Sequence, residues 1–131
     1  ATLFGDNARG QCNVPVYLEG RKVKQAAAGD YHTILLFEDG TVEAFGSNQE
    51  GQCEMPDLVD WFWFGEVVQV VAGANHSVLV LEDGSVLAFG ANNDGQSSVP
   101  RLDGRKVVCA AAGGRHTVLV FNDGSAVAFG D

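Results

Sequence analysis

The sequence predicts an all-β protein of about three propeller blades, forming an incomplete ring or open arc, and three observations carry this. First, one 18-residue pattern occurs three times without insertion, at Gly29–Gly46, Gly73–Gly90 and Gly113–Gly130. Second, each copy reads as a β-hairpin: a run of β-branched, aliphatic and aromatic residues, an Asp-Gly pair, and a second run ending Ala-Phe-Gly. Third, the Phe-Gly marks at Gly5, Gly46, Gly90 and Gly130 are spaced by 41, 44 and 40 residues, a period that suits several strands per unit. The whole chain, 1–131, reads as one repeat domain with units near 5–45, 46–89 and 90–130.

Within a unit the long middle strand begins at His32, His76 or His116. Asp39-Gly40, Asp83-Gly84 and Asp123-Gly124 predict type I′ turns, which need positive φ at both central residues. Before each hairpin lies a short strand, Val23–Ala28, Val67–Ala72 or Val107–Ala112, whose alanines suit crowded backbones near a propeller axis. After each Phe-Gly mark a loop repeats Asn, Gly-Gln and Pro at fixed offsets (Asn7, Gly10, Pro15; Asn48, Gly51, Pro56; Asn92, Gly95, Pro100). Such spacing is turn chemistry: the Asn side chain bonds nearby backbone and the Gly permits positive φ. A short fourth strand has room in this loop. Ala1–Gly5 matches the hairpin's second strand without its first, so the chain reads as starting mid-hairpin.

Eight Lys and Arg against 17 Asp and Glu leave a net charge of −9 and a pI near 4.5. An acidic surface repels phosphate backbones, so no nucleic-acid partner is expected and basic partners suit it better. No apolar run reaches the roughly 20 residues of a membrane helix, and no leader segment is visible at Ala1. Cys12 and Cys53 share a repeat position with Ser97, which suits a small half-buried side chain. Cys109 reads as a core residue of its strand.

Chemistry-bearing residues are spread by the repeat rather than gathered. The three histidines occupy equivalent places in successive blades and do not converge on one ion, so no metal is expected; each is placed to hydrogen-bond a neighbouring loop. The Asp-Gly carboxylates belong to turns, and Ser77 and Ser85 are replaced by Thr33 and Thr41 in the first unit. There is no nucleophile elbow, phosphate loop or Cys-x-x-Cys, so neither catalysis nor a cofactor is expected.

One segment departs from the repeat. Where the first and third units carry Gly20-Arg-Lys22 and Gly104-Arg-Lys106, the second runs through Trp61, Phe62, Trp63 and Phe64 before reaching its inner strand. Both tryptophans of the protein are here. Concentrated aromatic area in a loop marks a partner-binding surface, or else rings folded back over the blade edge.

The pattern Gly-x-x-His-[Thr/Ser]-[Ile/Val]-Leu-[Leu/Val]-x-x-Asp-Gly-x-x-x-Ala-Phe-Gly, followed by Asn-x-x-Gly-Gln and Pro, resembles the regulator-of-chromosome-condensation repeat in a short-period form. The resemblance covers nearly the whole chain. It implies four-stranded antiparallel blades and, in full-length members, about seven of them, within the general range of roughly 4–8. Three blades cannot close a ring. The chain therefore reads as a segment of a longer propeller, a self-associating subunit, or an open arc held by other subunits. The resulting expectation is a non-enzymatic protein–protein interaction module, an accessory subunit docked on a large assembly, with a membrane-extrinsic one among the candidates. The alternative is part of a regulatory propeller acting as a guanine-nucleotide exchange factor or enzyme inhibitor. Ligand binding in a central channel would need a closed ring.

Overall fold

Runs of alternating branched and aromatic residues bounded by Gly-containing turns form strands because their side chains pack on a pleated surface. A computed structural model describes residues 1–56 and 65–131 and contains nine such strands. They are β1 (Val23–Ala28), β2 (His32–Phe37), β3 (Val42–Gly46), β4 (Val67–Ala72), β5 (His76–Leu81), β6 (Val86–Gly90), β7 (Val107–Ala112), β8 (His116–Phe121) and β9 (Ala126–Gly130). They make three antiparallel sheets, β1-β2-β3, β4-β5-β6 and β7-β8-β9, each with the His-bearing strand in the middle. Register is the same in all three: His32 pairs with Gly46, His76 with Gly90 and His116 with Gly130. Each inner strand carries one bulge, between Val23 and Gln25, Val67 and Gln69, or Val107 and Cys109.

The hairpin connection differs from the predicted type I′ turn. Gly40 N–H donates to the Phe37 carbonyl at 3.0 Å and Phe37 N–H to the Thr41 carbonyl at 2.9 Å, so the loop is Glu38-Asp39-Gly40. Only the glycine has positive φ, +86° at Gly40, whereas Asp39 stays in the ordinary region. This is a turn closed by a left-handed glycine, the three-residue hairpin solution. Asp39 is required for its carboxylate, which accepts from Thr41 N–H at 3.0 Å and from the Thr41 hydroxyl at 2.6 Å. Asp83 and Asp123 hold Ser85 N–H and Ser125 N–H in the same way. Hydroxyl and backbone donors hold the Asp39 and Asp123 carboxyls below the usual carboxylate range, Thr41 and Ser125 being the main causes.

Each sheet has three strands among the described residues, and the post-mark loop is a corner rather than a fourth strand. The Asn7, Asn48 and Asn92 carboxamides accept Cys12, Cys53 and Ser97 N–H at 2.8, 2.8 and 2.9 Å. With its backbone groups satisfied locally, the loop has none in register for a ladder. Ala1–Gly5 is likewise not a strand: no middle strand lies beside it, and Phe4 is 93% exposed. A 3-10 turn, Val16–Leu18, buries Leu18 against Leu35 and Phe37.

The core lies between the sheets. Ile34 and Leu36 of the first pack with Val67, Val70 and Leu79 of the second. Val78 and Val80 of the second pack with Val107, Ala110, Leu119 and Phe121 of the third. The middle strand thus sends alternate residues into two different joints.

Candidate interaction surface

Three sets of polar groups fix how one blade meets the next. Near the axis, Asp30 N–H donates to the Ala74 carbonyl at 3.2 Å and Ala74 N–H to the Gly114 carbonyl at 3.3 Å. This approach needs glycine: a Cβ on Gly29 would stand 2.5 Å from the Gly73 carbonyl oxygen, and one on Gly73 2.6 Å from that of Gly113. Either Cβ would also run into the ring of the following histidine.

A glutamine amide forms the second set. The Gln25 side chain donates to the Val68 carbonyl at 2.9 Å and accepts from Val70 N–H at 3.2 Å. Gln69 repeats this on Ala110, at 3.1 Å to its carbonyl and 2.9 Å from its N–H. Paired donor and acceptor on one planar amide satisfy a strand edge that would otherwise be unpaired. In the third blade Cys109 holds this position, and it is exposed rather than in the core. No amide clamp starts from this position among the described residues.

The histidines form the third set. His32 Nε2 lies 3.0 Å from Ser77 Oγ, and His76 Nε2 lies 2.9 Å from Thr117 Oγ1. Ser77 Oγ donates to the Gln52 carbonyl at 2.7 Å and Thr117 Oγ1 to the Gln96 carbonyl at 2.8 Å, so each hydroxyl accepts from the imidazole N–H. The expected neighbouring loop is thus reached through a strand hydroxyl of the next blade. Nδ1 of both rings is buried without a partner among the described residues, as suits the neutral form. Burial, and then the charge of His76, pushes the His32 pKa down to about 4. Burial, and then His116, lowers that of His76. His116 has no following blade within the chain and is exposed.

Among the described residues no group of His, Cys, Asp and Glu is placed to hold a metal, and no helix is long and apolar enough to cross a membrane. The Cys/Ser interchange has a direct cause: Cys12 Sγ, Cys53 Sγ and Ser97 Oγ all donate to the carbonyl after the Phe-Gly mark, at 3.3, 3.2 and 2.9 Å. Burial pushes the Cys53 thiol up to about 11.

Trp61, Phe62, Trp63 and Phe64 lie outside the described residues, and their surroundings on the chain are informative. Glu82 N–H donates to the Glu66 carbonyl, as Glu38 and Asn122 N–H do to Lys22 and Lys106. Gly65 and Glu66 therefore stand where the other units have Arg-Lys. In those units the Arg21 and Arg105 guanidiniums lie 4.1 and 4.0 Å over the Phe37 and Phe121 rings. The second unit has lost both members of this stack, with Gly65 for the arginine and Leu81 for the phenylalanine. Two positive charges are gone, and Glu66 and Glu82 leave the neighbourhood acidic.

A model of the regulator of chromosome condensation (RCC1) repeat matches residues 23–52 and 67–96, covering the first two blades with their following corners. These are RCC1 repeats. The third unit, which the family model does not match, keeps the same hairpin register. Among solved structures, human WBSCR16 is 25% identical with a TM-score of 0.73, over 83% of this chain and 34% of its own. Prp20p from Saccharomyces cerevisiae, whose structure was described with its binding to Gsp1p and histones, is 25% identical with a TM-score of 0.67, over 86% of this chain and 31% of its own. The CRINKLY WD40 ectodomain of the Arabidopsis thaliana receptor kinase ACR4 shares the fold, at 23% identity and a TM-score of 0.73, over 97% of this chain and 47% of its own. The chain thus spans about a third of the first two and under half of the last. No curated protein sequence matches it significantly.

Proposed function

We propose that this RCC1-repeat chain is a non-enzymatic interaction module, an accessory subunit that docks on a larger assembly through Trp61, Phe62, Trp63 and Phe64. The supporting observation is the second blade's combined departure: an aromatic run arrives where the Arg–Phe stack of its siblings is lost. Aromatic side chains supply large contact area at low entropic cost and dominate interface energetics. The acidic flanks at Glu66 and Glu82 and the net charge of −9 suit a partner with an apolar pocket rimmed by Lys and Arg. A membrane-extrinsic face of an assembly meets that description. The polar groups that suggest chemistry are occupied in turns and blade joints, which favours binding over catalysis. A second reading, part of a regulatory propeller acting as an exchange factor or enzyme inhibitor, draws on the chain's spanning about a third of Prp20p, a protein that binds Gsp1p and histones.

Replacing Trp61 and Trp63 by Ser tests the first reading. Binding to the docking partner, measured by titration, is expected to weaken by about 100-fold or more, two anchor side chains being worth about 2 kcal/mol each or more. Unchanged affinity with the fold intact overturns it.

A further inference from the structure

The pair Asp-Gly occurs five times, at Asp39-Gly40, Asp83-Gly84, Asp94-Gly95, Asp103-Gly104 and Asp123-Gly124. Such a pair is chemically labile. A glycine nitrogen, with no Cβ beside it, reaches the carboxyl carbon of the preceding aspartate and closes a five-membered ring. The reaction needs a glycine N–H and a carboxyl that are both free to move.

In four of the five pairs the fold holds these groups. Gly40, Gly84 and Gly124 N–H donate to the Phe37, Leu81 and Phe121 carbonyls at 3.0, 2.9 and 3.0 Å, and Gly95 N–H to that of Asn92 at 3.1 Å. The Asp39, Asp83 and Asp123 carboxylates accept the N–H and hydroxyl of Thr41, Ser85 and Ser125. Arg115 Nη1 lies 3.7 Å from the Asp94 carboxylate. The bonds from Thr41 and Ser125 also keep Asp39 and Asp123 in the charged form, from which no water can leave.

Asp103-Gly104 has neither restraint. Among the described residues Gly104 N–H donates to nothing, and the Asp103 carboxylate meets only Arg101 Nε at 4.0 Å. Both side chains of that pair are exposed, so it holds the carboxylate weakly. Asp103 also stands at φ +53°, the one non-glycine in the left-handed region among the described residues, where an L-residue's Cβ crowds its own carbonyl. The corresponding turn of the first unit has Glu19, at φ −60°, before Gly20, and a glutamate does not form the five-membered ring.

We propose that Asp103-Gly104 is a site of spontaneous isoaspartate formation, and that the product loosens the joint between the second and third blades. Gly104 N bonds to Cγ of the protonated carboxyl, and the amide proton leaves with the carboxyl hydroxyl as water. Water then adds back to the succinimide. Breaking the C–N bond at Cγ restores aspartate. Breaking the one at the main-chain carbon leaves Gly104 joined through the side chain, with a free α-carboxylate. No electrons are transferred. The second product lengthens the main chain by one atom, inside the turn that Arg105 N–H closes on the Leu102 carbonyl at 3.0 Å. Leu102 packs on the core between the second and third blades, and Arg105 lies over Phe121 of that core, so both flank the altered link.

Incubation of the protein at physiological pH and temperature, followed by trypsin, tests this. Cleavage after Arg101 and Arg105 releases Leu102–Arg105, whose isoaspartyl form has the same mass and a different retention time. Isoaspartate is expected to accumulate at Asp103 about 10-fold or more faster than at each other site, where a hydrogen bond must first be released. In urea the five sites should convert at similar rates. As the Asp103 product accumulates the urea midpoint should fall, and Asp103→Glu should hold it constant. Equal rates at the five sites in the folded protein, the same preference for Asp103 in urea, or no product there while the unfolded chain reacts overturns the site. A midpoint indifferent to the product overturns its effect on the joint.

Discussion

β5 and β8 are nearly the same strand, His-Ser-Val-Leu-Val-Leu and His-Thr-Val-Leu-Val-Phe, yet every residue of β5 is buried while those of β8 alternate between covered and uncovered. Each is the middle strand of an identically paired sheet. The difference lies in what covers each face: β5 has a blade on both sides and β8 has one on a single side, whereas β2, also beside a single blade, is buried throughout because Leu18, Val14 and Val23 of its own unit pack on Leu35 and Phe37. In a stacked repeat, burial belongs to the joint rather than to the strand. The same polar groups follow suit. His76 is sealed on Thr117, whereas its counterpart His116 lies open.

The sharpest way to break the comparison is at the axis. Gly73→Ala drives a methyl into both the Gly113 carbonyl and the His76 ring, and is expected to cost about 3 kcal/mol. Gly113→Ala meets only the ring of exposed His116, which can swing away, and should cost less than about 1 kcal/mol. Urea unfolding of both variants measures the difference. Equal costs would mean that the blade-to-blade approach is not what these glycines permit.

Acid should loosen the closed joints. With a folded pKa of about 4 for His32 against an unfolded value near 6.5, the unfolded chain takes up the proton first as pH falls. Stability is then flat above pH ~7, declines between about 6.5 and 4, and levels off below, by on the order of 3 kcal/mol for His32. His76 adds a loss of the same sign. His32→Gln should flatten the decline, read as urea midpoints over this pH window.

The smallest effect expected is at the amide clamp. Gln69→Ala leaves a backbone donor and acceptor of Ala110 without partners and should cost about 1.5 kcal/mol, while Cys109→Ala at the equivalent open position should cost close to nothing. Thermal unfolding of the pair provides the comparison.

Strand positions, the pairing of the hairpins and the corner chemistry of Asn7, Asn48 and Asn92 were legible because period-2 patterning and local hydrogen bonding act over a few residues. The turn type was not. Asp-Gly serves two hairpin solutions, and a carboxylate reaching Thr41 N–H selects the one that leaves Asp39 unstrained. Gln25 and Gln69 carried a readable signal, a polar residue recurring at one inner-strand position, but its meaning depended on the next blade. Cys109 carries the pattern of a covered strand for the converse reason, and is exposed because no clamp or blade covers it among the described residues.

The repeat, the hairpins, the acidic composition and the aromatic departure at Trp61 to Phe64 follow from residue order alone, since each is written within a single unit. Which strand faces are covered, what the histidines bond and what the inner-strand glutamines clamp emerge from the packing of one blade on the next. Those depend on contacts some 40 residues away, between units whose sequences are too alike to show which has a neighbour.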